Sequence, residues 1–181
     1  MNFLDLAKKR QSVRSYDPNH PVEIDKLNYI LECARLAPSA CNAQPWTFVV
    51  VDQADIREKT TEAIADKTLG MNHFAKDAPI HIVVVEQSAN LTSTIGGKIK
   101  GKHFPHIDIG IAVEHITLAA AEQGLGTCII GWFNEKKMRK ALSIPDSLRP
   151  ILAITLGYST EKERDKKRKK WGDVIRFNTY K

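Results

Sequence analysis

Four short stretches hold the residues whose types and spacing suit them to chemistry. The first is Arg10-Gln11-Ser12-Val13-Arg14. In an extended segment, residues two apart share a face, so two guanidiniums and a hydroxyl point the same way. That is a fork-shaped clamp for an anion such as a phosphate. Taken alone, the same residues also read as the solvated basic end of a helix. The second stretch, Pro38-Ser39-Ala40-Cys41-Asn42-Ala43-Gln44-Pro45-Trp46, offers donors and acceptors together on a loop stiffened by two prolines. Such a mixed edge suits a flat heteroaromatic ring, and equally an ordinary helix stop. The third, residues 124–131, places Gly124, Gly126 and Gly131 around an apolar run. It is not a dinucleotide fingerprint, because the helix precedes the glycines and the strand follows them. Its use would be backbone N–H groups near Ile130 and Gly131, open to a flat ligand. The fourth is Lys166-Lys167-Arg168-Lys169-Lys170, a charge run that by itself reads as a solvated face.

The net charge of +6 in 181 residues invites a nucleic-acid reading. Its distribution argues against one. Residues 161–170 carry +4, residues 1–14 carry +3, and the other 157 sum to −1. The protein is a neutral body with two basic ends, which fits a bound phosphate at least as well as a basic stripe for DNA. No metal site and no nucleophile motif is expected. HExxH, Walker A and GxSxG are absent, and Cys33, Cys41 and Cys128 form no CxxC pair. Three unpaired thiols fit a reducing cytoplasm. The histidines lack regular ligand spacing, although His103 and His106 stand out as a close pair. No apolar run is long enough to cross a membrane, and residues 1–10 lack the core of a secretory signal.

The elements that must position these groups follow from periodicity. Residues 1–10 read as a helix with Phe3, Leu4, Leu6 and Ala7 inward. Residues 22–36 read as a longer one that buries Ile24, Leu27, Ile30, Leu31 and Ala34 before Pro38 stops it. Residues 46–52, 80–85, 127–132 and 151–157 read as short buried strands, and 173–180 as a fifth. Residues 54–66 and 135–142 read as helices, and 88–106 as a long glycine-bearing loop. Residues 108–123 are apolar almost all round, which calls for burial on every side, partly against a second chain. Strands and helices alternate, so one domain over residues 1–181, of α/β or α+β class, is expected.

In this order and combination the pieces resemble the FMN-dependent nitroreductase family. The matching stretches are RQSVRSYDP (10–18), APSACNAQPWTFVVV (37–51), DIGIAVEHITLAAAEQGLGTCIIG (108–131) and KKRKKWGDVI (166–175). The resemblance implies an α+β fold, a three-layer α/β/α sandwich around a mixed, mainly antiparallel sheet. It also implies a homodimer with FMN sites at the interface and an exchanged C-terminal segment. Arg10, Ser12, Lys166 and Arg168 would hold the FMN phosphate, with Gln11 beside them, and Arg14 would face the N1 and O2 edge of the ring. Pro38, Ser39 and Asn42, supported by Gln44, would come from the other subunit, and the backbone of Ile130 and Gly131 would face N5. NADH or NADPH would reduce the flavin, leave, and be replaced by a nitroaromatic, quinone-like or related small electrophile. The flavin carries that chemistry, so no catalytic side chain is expected. Alternatives are a same-fold dehalogenase or dehydrogenase, a flavin binder without turnover, or a basic nucleic-acid module. Ala40 stands where the family commonly has Ser, the chain is trimmed between 66 and 107, and Asn72, a candidate for the ring's pyrimidine edge, sits in surroundings that match the family poorly.

Overall fold

The run Ile80–Glu86 (β2) is apolar in five of seven positions, and six of its residues are buried. A strand buried on both faces needs a layer on each side, and that requirement sets the architecture. The computed structural model describes residues 2–66, 68, 70–87 and 103–180. Its elements in chain order are α1 (Phe3–Lys9), α2 (Ile24–Arg35), β1 (Trp46–Val51), α3 (Ala54–Ile64), β2, α4 (Phe104–Glu122), β3 (Gly126–Ile130), α5 (Glu135–Leu142), β4 (Arg149–Gly157) and the single-turn α6 (Trp171–Val174). Short 3-10 turns lie at Ala40–Asn42 and His73–Asp77.

The sheet runs β1-β2-β4-β3, and every neighbouring pair is antiparallel. Alternate residues of β2 serve two cores. Ile80, Ile82 and Val84 pack with Leu27 and Ile30 of α2 and with Ile109, Val113 and Ile116 of α4. Val83 and Val85 pack with Ala63 and Ile64 of α3 and with Met138 of α5. The result is the expected α+β three-layer sandwich. The mixed character of the sheet is slight among the described residues: its parallel component is one isolated bridge, Ser12 to Thr127.

Several expectations need correction. Phe3, Leu4 and Ile24 lie on the outside, at 70%, 62% and 63% exposure, because none of the described residues covers that side of α1 and α2. Val113 is buried in the chain's own core, whereas the open side of α4 carries Ile107 and Ile111. No strand forms at 173–180. That segment is exposed throughout, and with no strand beside it the alternation of Val174, Ile175, Phe177 and Tyr180 meets no hydrogen-bonding ladder. The helix expected from 108 begins at Phe104, because Pro105 starts a helix well at its first turn. Residues 88–102 of the expected 88–106 loop lie outside the described residues. Cys33 and Cys128 are free thiols, and among the described residues no helix is long and apolar enough to cross a membrane.

Candidate functional site

The two basic ends of the sequence meet. Residues 12–16 leave α1 and run between β3 and the segment that follows β4. Val13 N–H donates to the Thr127 carbonyl at 2.8 Å. The contact is close because Gly126 has no side chain; a Cβ there would stand 2.6 Å from Val13 Cγ2. Tyr16 pins the stretch from beneath. Its hydroxyl donates to the Val13 carbonyl at 3.0 Å and pairs with Thr155 Oγ1 at 2.8 Å, and burial holds the phenol well above its usual pKa.

The C-terminal linker is laced onto this stretch. Thr160 N–H donates to the Ser15 carbonyl at 3.1 Å, and Arg14 N–H donates to Glu161 Oε1 at 2.6 Å. Gln11 binds the linker both ways: Nε2 donates to the Lys162 carbonyl at 3.2 Å, and Oε1 accepts from Arg164 N–H at 3.0 Å. The Arg164 guanidinium donates to the Ser12 carbonyl and pairs with Glu161. Lys166 donates to the Ala7 carbonyl, one of the unpaired carbonyls at the end of α1.

These contacts gather cations. Arg10 is half-buried with Glu114 Oε1 3.7 Å from its Nε. Partial burial lowers the pKa of Lys166, and the neighbouring charges of Arg10 and Arg168 lower it further, against the opposing pull of Glu114. Arg10 and Lys166 thus stand near one another at this crossing, with Glu114 beside Arg10. A cleft of about 180 Å³ opens beside them, lined by Arg10, Gln11, Thr117, Gly126 and Glu161 among others.

The loop after α2 forms a separate unit. Gln44 N–H donates to Ser39 Oγ at 2.9 Å, and Gln44 Nε2 donates to the Asn42 carbonyl at 3.2 Å and to Asn42 Oδ1 at 3.1 Å. Cys41, Asn42 and Gln44 have φ of 51°, 51° and 46°. Such left-handed positions are costly for residues with a Cβ and collect where a loop is held for binding. Pro38 and Asn42 are exposed and Ser39 is half-buried. The support underneath is Asp108, buried near the start of α4, whose Oδ1 accepts from Ala40 N–H at 3.1 Å and whose Oδ2 has no partner.

Asp108 lies six residues before Glu114, the partner of Arg10, and 13 before Ala121, which lines the basic cleft, about 9 and 20 Å of helix. The chain brings Arg10, Gln11, Ser12, Arg14 and the linker carrying Lys166 and Arg168 together, while the loop carrying Pro38, Ser39, Asn42 and Gln44 is held by its own hydrogen bonds and by Asp108. Ile130 is buried in the second core, and Gly131 follows it, exposed, at the far end of β3. Beyond lies a cleft of about 800 Å³ lined by His73, Trp132, Phe133 and Asn134 with the end of α3. Trp132 is exposed there, whereas Phe133 also packs on the second core. Asn72 steadies this edge by donating Nδ2 to the Trp132 carbonyl at 3.1 Å.

Sequence reasoning missed Asp108, Glu161 and Arg164. Asp108 had a signal, an acid at the start of an apolar helix. Glu161 and Arg164 had none, since their partners lie some 150 residues away.

Comparison with known proteins identifies the family. The model of the nitroreductase family matches residues 7–158. YdgI of Bacillus subtilis, which carries the name of an NAD(P)H nitroreductase, is 43% identical over 188 residues, covering 88% of this chain and 90% of that one. The structure of an FMN-dependent nitroreductase from Clostridium difficile superposes with a TM-score of 0.78 at 28% identity, covering 98% and 100% of the two chains. Iodotyrosine deiodinase of Thermotoga neapolitana is 25% identical over 97% of both chains. Fold, clamp and comparisons converge, and the chain belongs to the nitroreductase family.

Proposed function

We propose that the protein is an FMN-dependent oxidoreductase that takes electrons from NADH or NADPH and reduces nitroaromatic, quinone-like or related flat electrophiles. The observation that carries this reading is the lacing of the linker that bears Lys166 and Arg168 onto the Arg10–Arg14 stretch, beside a cleft lined by Arg10 and Gln11. A dianionic phosphate fits that donor set, so the residues present suit FMN. Arg10, Ser12, Lys166 and Arg168 would hold the phosphate. Gln11 acts by tying the linker that carries Lys166 and Arg168 to the clamp. Arg14 would lend positive charge to the N1 and O2 edge of the ring, and the backbone at Ile130 and Gly131 would face N5. When bound, FMN supplies hydride acceptance and donation, and the chain need provide no acid–base pair of its own.

The working form is a homodimer. Phe3, Leu6, Ile107, Ile111 and Leu118 line an open, almost wholly apolar groove of about 680 Å³ along α1 and α4. A second copy seated there would bring its Pro38, Ser39, Asn42 and Gln44 toward the first chain's clamp. The exposed apolar tail, including Trp171 and Phe177, supports exchange of the C-terminal segment.

The full-length likeness to an iodotyrosine deiodinase favours one second reading, dehalogenation on the same scaffold. A visible spectrum of the purified protein before and after anaerobic NADH or NADPH tests the first. A flavin band that bleaches is expected. A colourless protein that refuses added FMN overturns the proposal. Turnover confined to halogenated phenols would move it to the second reading.

A further inference from the structure

The end of β2 and the first turn of α4 bring together three groups that the flavin site does not use. Glu86 closes β2, His103 occupies the N-cap of α4, and His106 follows in its first turn. Both imidazoles turn Nε2 toward one carboxylate: His103 Nε2 lies 2.6 Å from Oε1, and His106 Nε2 lies 3.3 Å from Oε2. The rings stand edge to face with centroids 4.2 Å apart. All three donor groups place a ligand atom within 4.8 Å of the others. The carboxylate is largely covered, whereas the imidazoles are 57% and 50% exposed, so an ion can reach them. Arg149, across the ladder from Glu86, does not compete, because its guanidinium donates to Glu135 at 3.0 and 2.8 Å.

Two imidazoles and a carboxylate form a donor set for a borderline transition metal rather than for Ca²⁺ or Mg²⁺, which prefer oxygen. Ligands about 2.1 Å from a tetrahedral centre stand roughly 3.4 Å apart. Opening the present 2.6 Å and 3.3 Å contacts to that spacing takes less than about 1 Å of side-chain movement. We propose that Glu86, His103 and His106 form a zinc site that clasps the end of β2 to the start of α4, with water as fourth ligand. The clasp would close the chain between 86 and 103, limiting the freedom of the unfolded state.

The test uses the full-length protein, freed of metal with a chelator and dialysed. It is titrated with ZnCl₂ against a chromophoric competitor and, separately, with CoCl₂ followed by difference absorption. One equivalent per chain is expected, with the visible bands of four-coordinate Co²⁺. H103A, H106A and E86Q should each weaken zinc binding at least about tenfold, since even outer-shell losses cost that much. The metal-free Tm and the flavin content of these variants should match the parent, which separates this proposal from the flavin reading. Failure to bind one equivalent, or parental affinity in the H103A/H106A double variant, overturns it.

Discussion

Single side chains here act through charge that is only partly balanced. In the proposed flavin site, removing Arg168 would delete one charge-assisted contact to the phosphate, a loss of about 1.5–3 kcal/mol. Arg168→Ala should therefore bind FMN roughly 10- to 100-fold more weakly, with an unchanged circular dichroism spectrum. Quenching of flavin fluorescence on binding measures it, and a parental affinity would remove Arg168 from the phosphate. His81 makes the opposite point, a titratable group kept neutral. It is fully buried, Nε2 donating to the Ala75 carbonyl at 2.9 Å and Nδ1 accepting from Thr60 at 2.8 Å. Burial, helped by the charge of Arg57, pushes its pKa down to about 4. The unfolded chain takes up this proton below about pH 6.5 while the folded chain does not. Stability is thus full above pH 6.5 and falls toward pH 4, by about 3 kcal/mol from this group. Urea denaturation at several pH values should show that acid limb, and His81→Gln should flatten it.

At the scale of elements, the clamp exists because two segments cross without a side chain between them. Gly126→Ala places a methyl group against Val13 and should cost about 1–3 kcal/mol, with weaker FMN binding because the 10–14 stretch shifts. A thermal melt together with a flavin titration checks both; an unchanged melt would mean that the crossing is slack. Elements of this kind differ in how legible they are. Helix α5 and the buried strands could be read from the sequence because periodicity and turn residues are local. Helix α4 was legible in its middle but not at its start, where Pro105 sits among glycines and polar residues. The outward side of α1 was misassigned because an amphipathic pattern does not say whether its cover lies in the same chain. The clamp was legible as composition, Arg10 and Arg14 at one end and Lys166 and Arg168 at the other. Its lacing through Gln11, Glu161 and Arg164 was not, since no local pattern encodes pairs so distant in sequence.

At the scale of the whole molecule, the apolar groove between α1 and α4 should decide assembly and cofactor together. Ile107 is half-exposed in the first turn of α4, where an acid suits the helix dipole, so Ile107→Glu should leave the single chain folded. It should abolish the dimer and most FMN binding at once. Sedimentation with absorbance at the flavin band reads both, and a monomer that keeps its flavin would contradict a shared site. The order β1-β2-β4-β3 carries one more consequence, for biosynthesis. Translation delivers β1, β2 and β3 before the strand that sits between β2 and β3. Until residues 149–157 leave the ribosome, β2 lacks a neighbour on one side and β3 lacks its place in the sheet. Both sandwich cores stay open in every nascent chain for that interval, and a holding chaperone has its clearest target there.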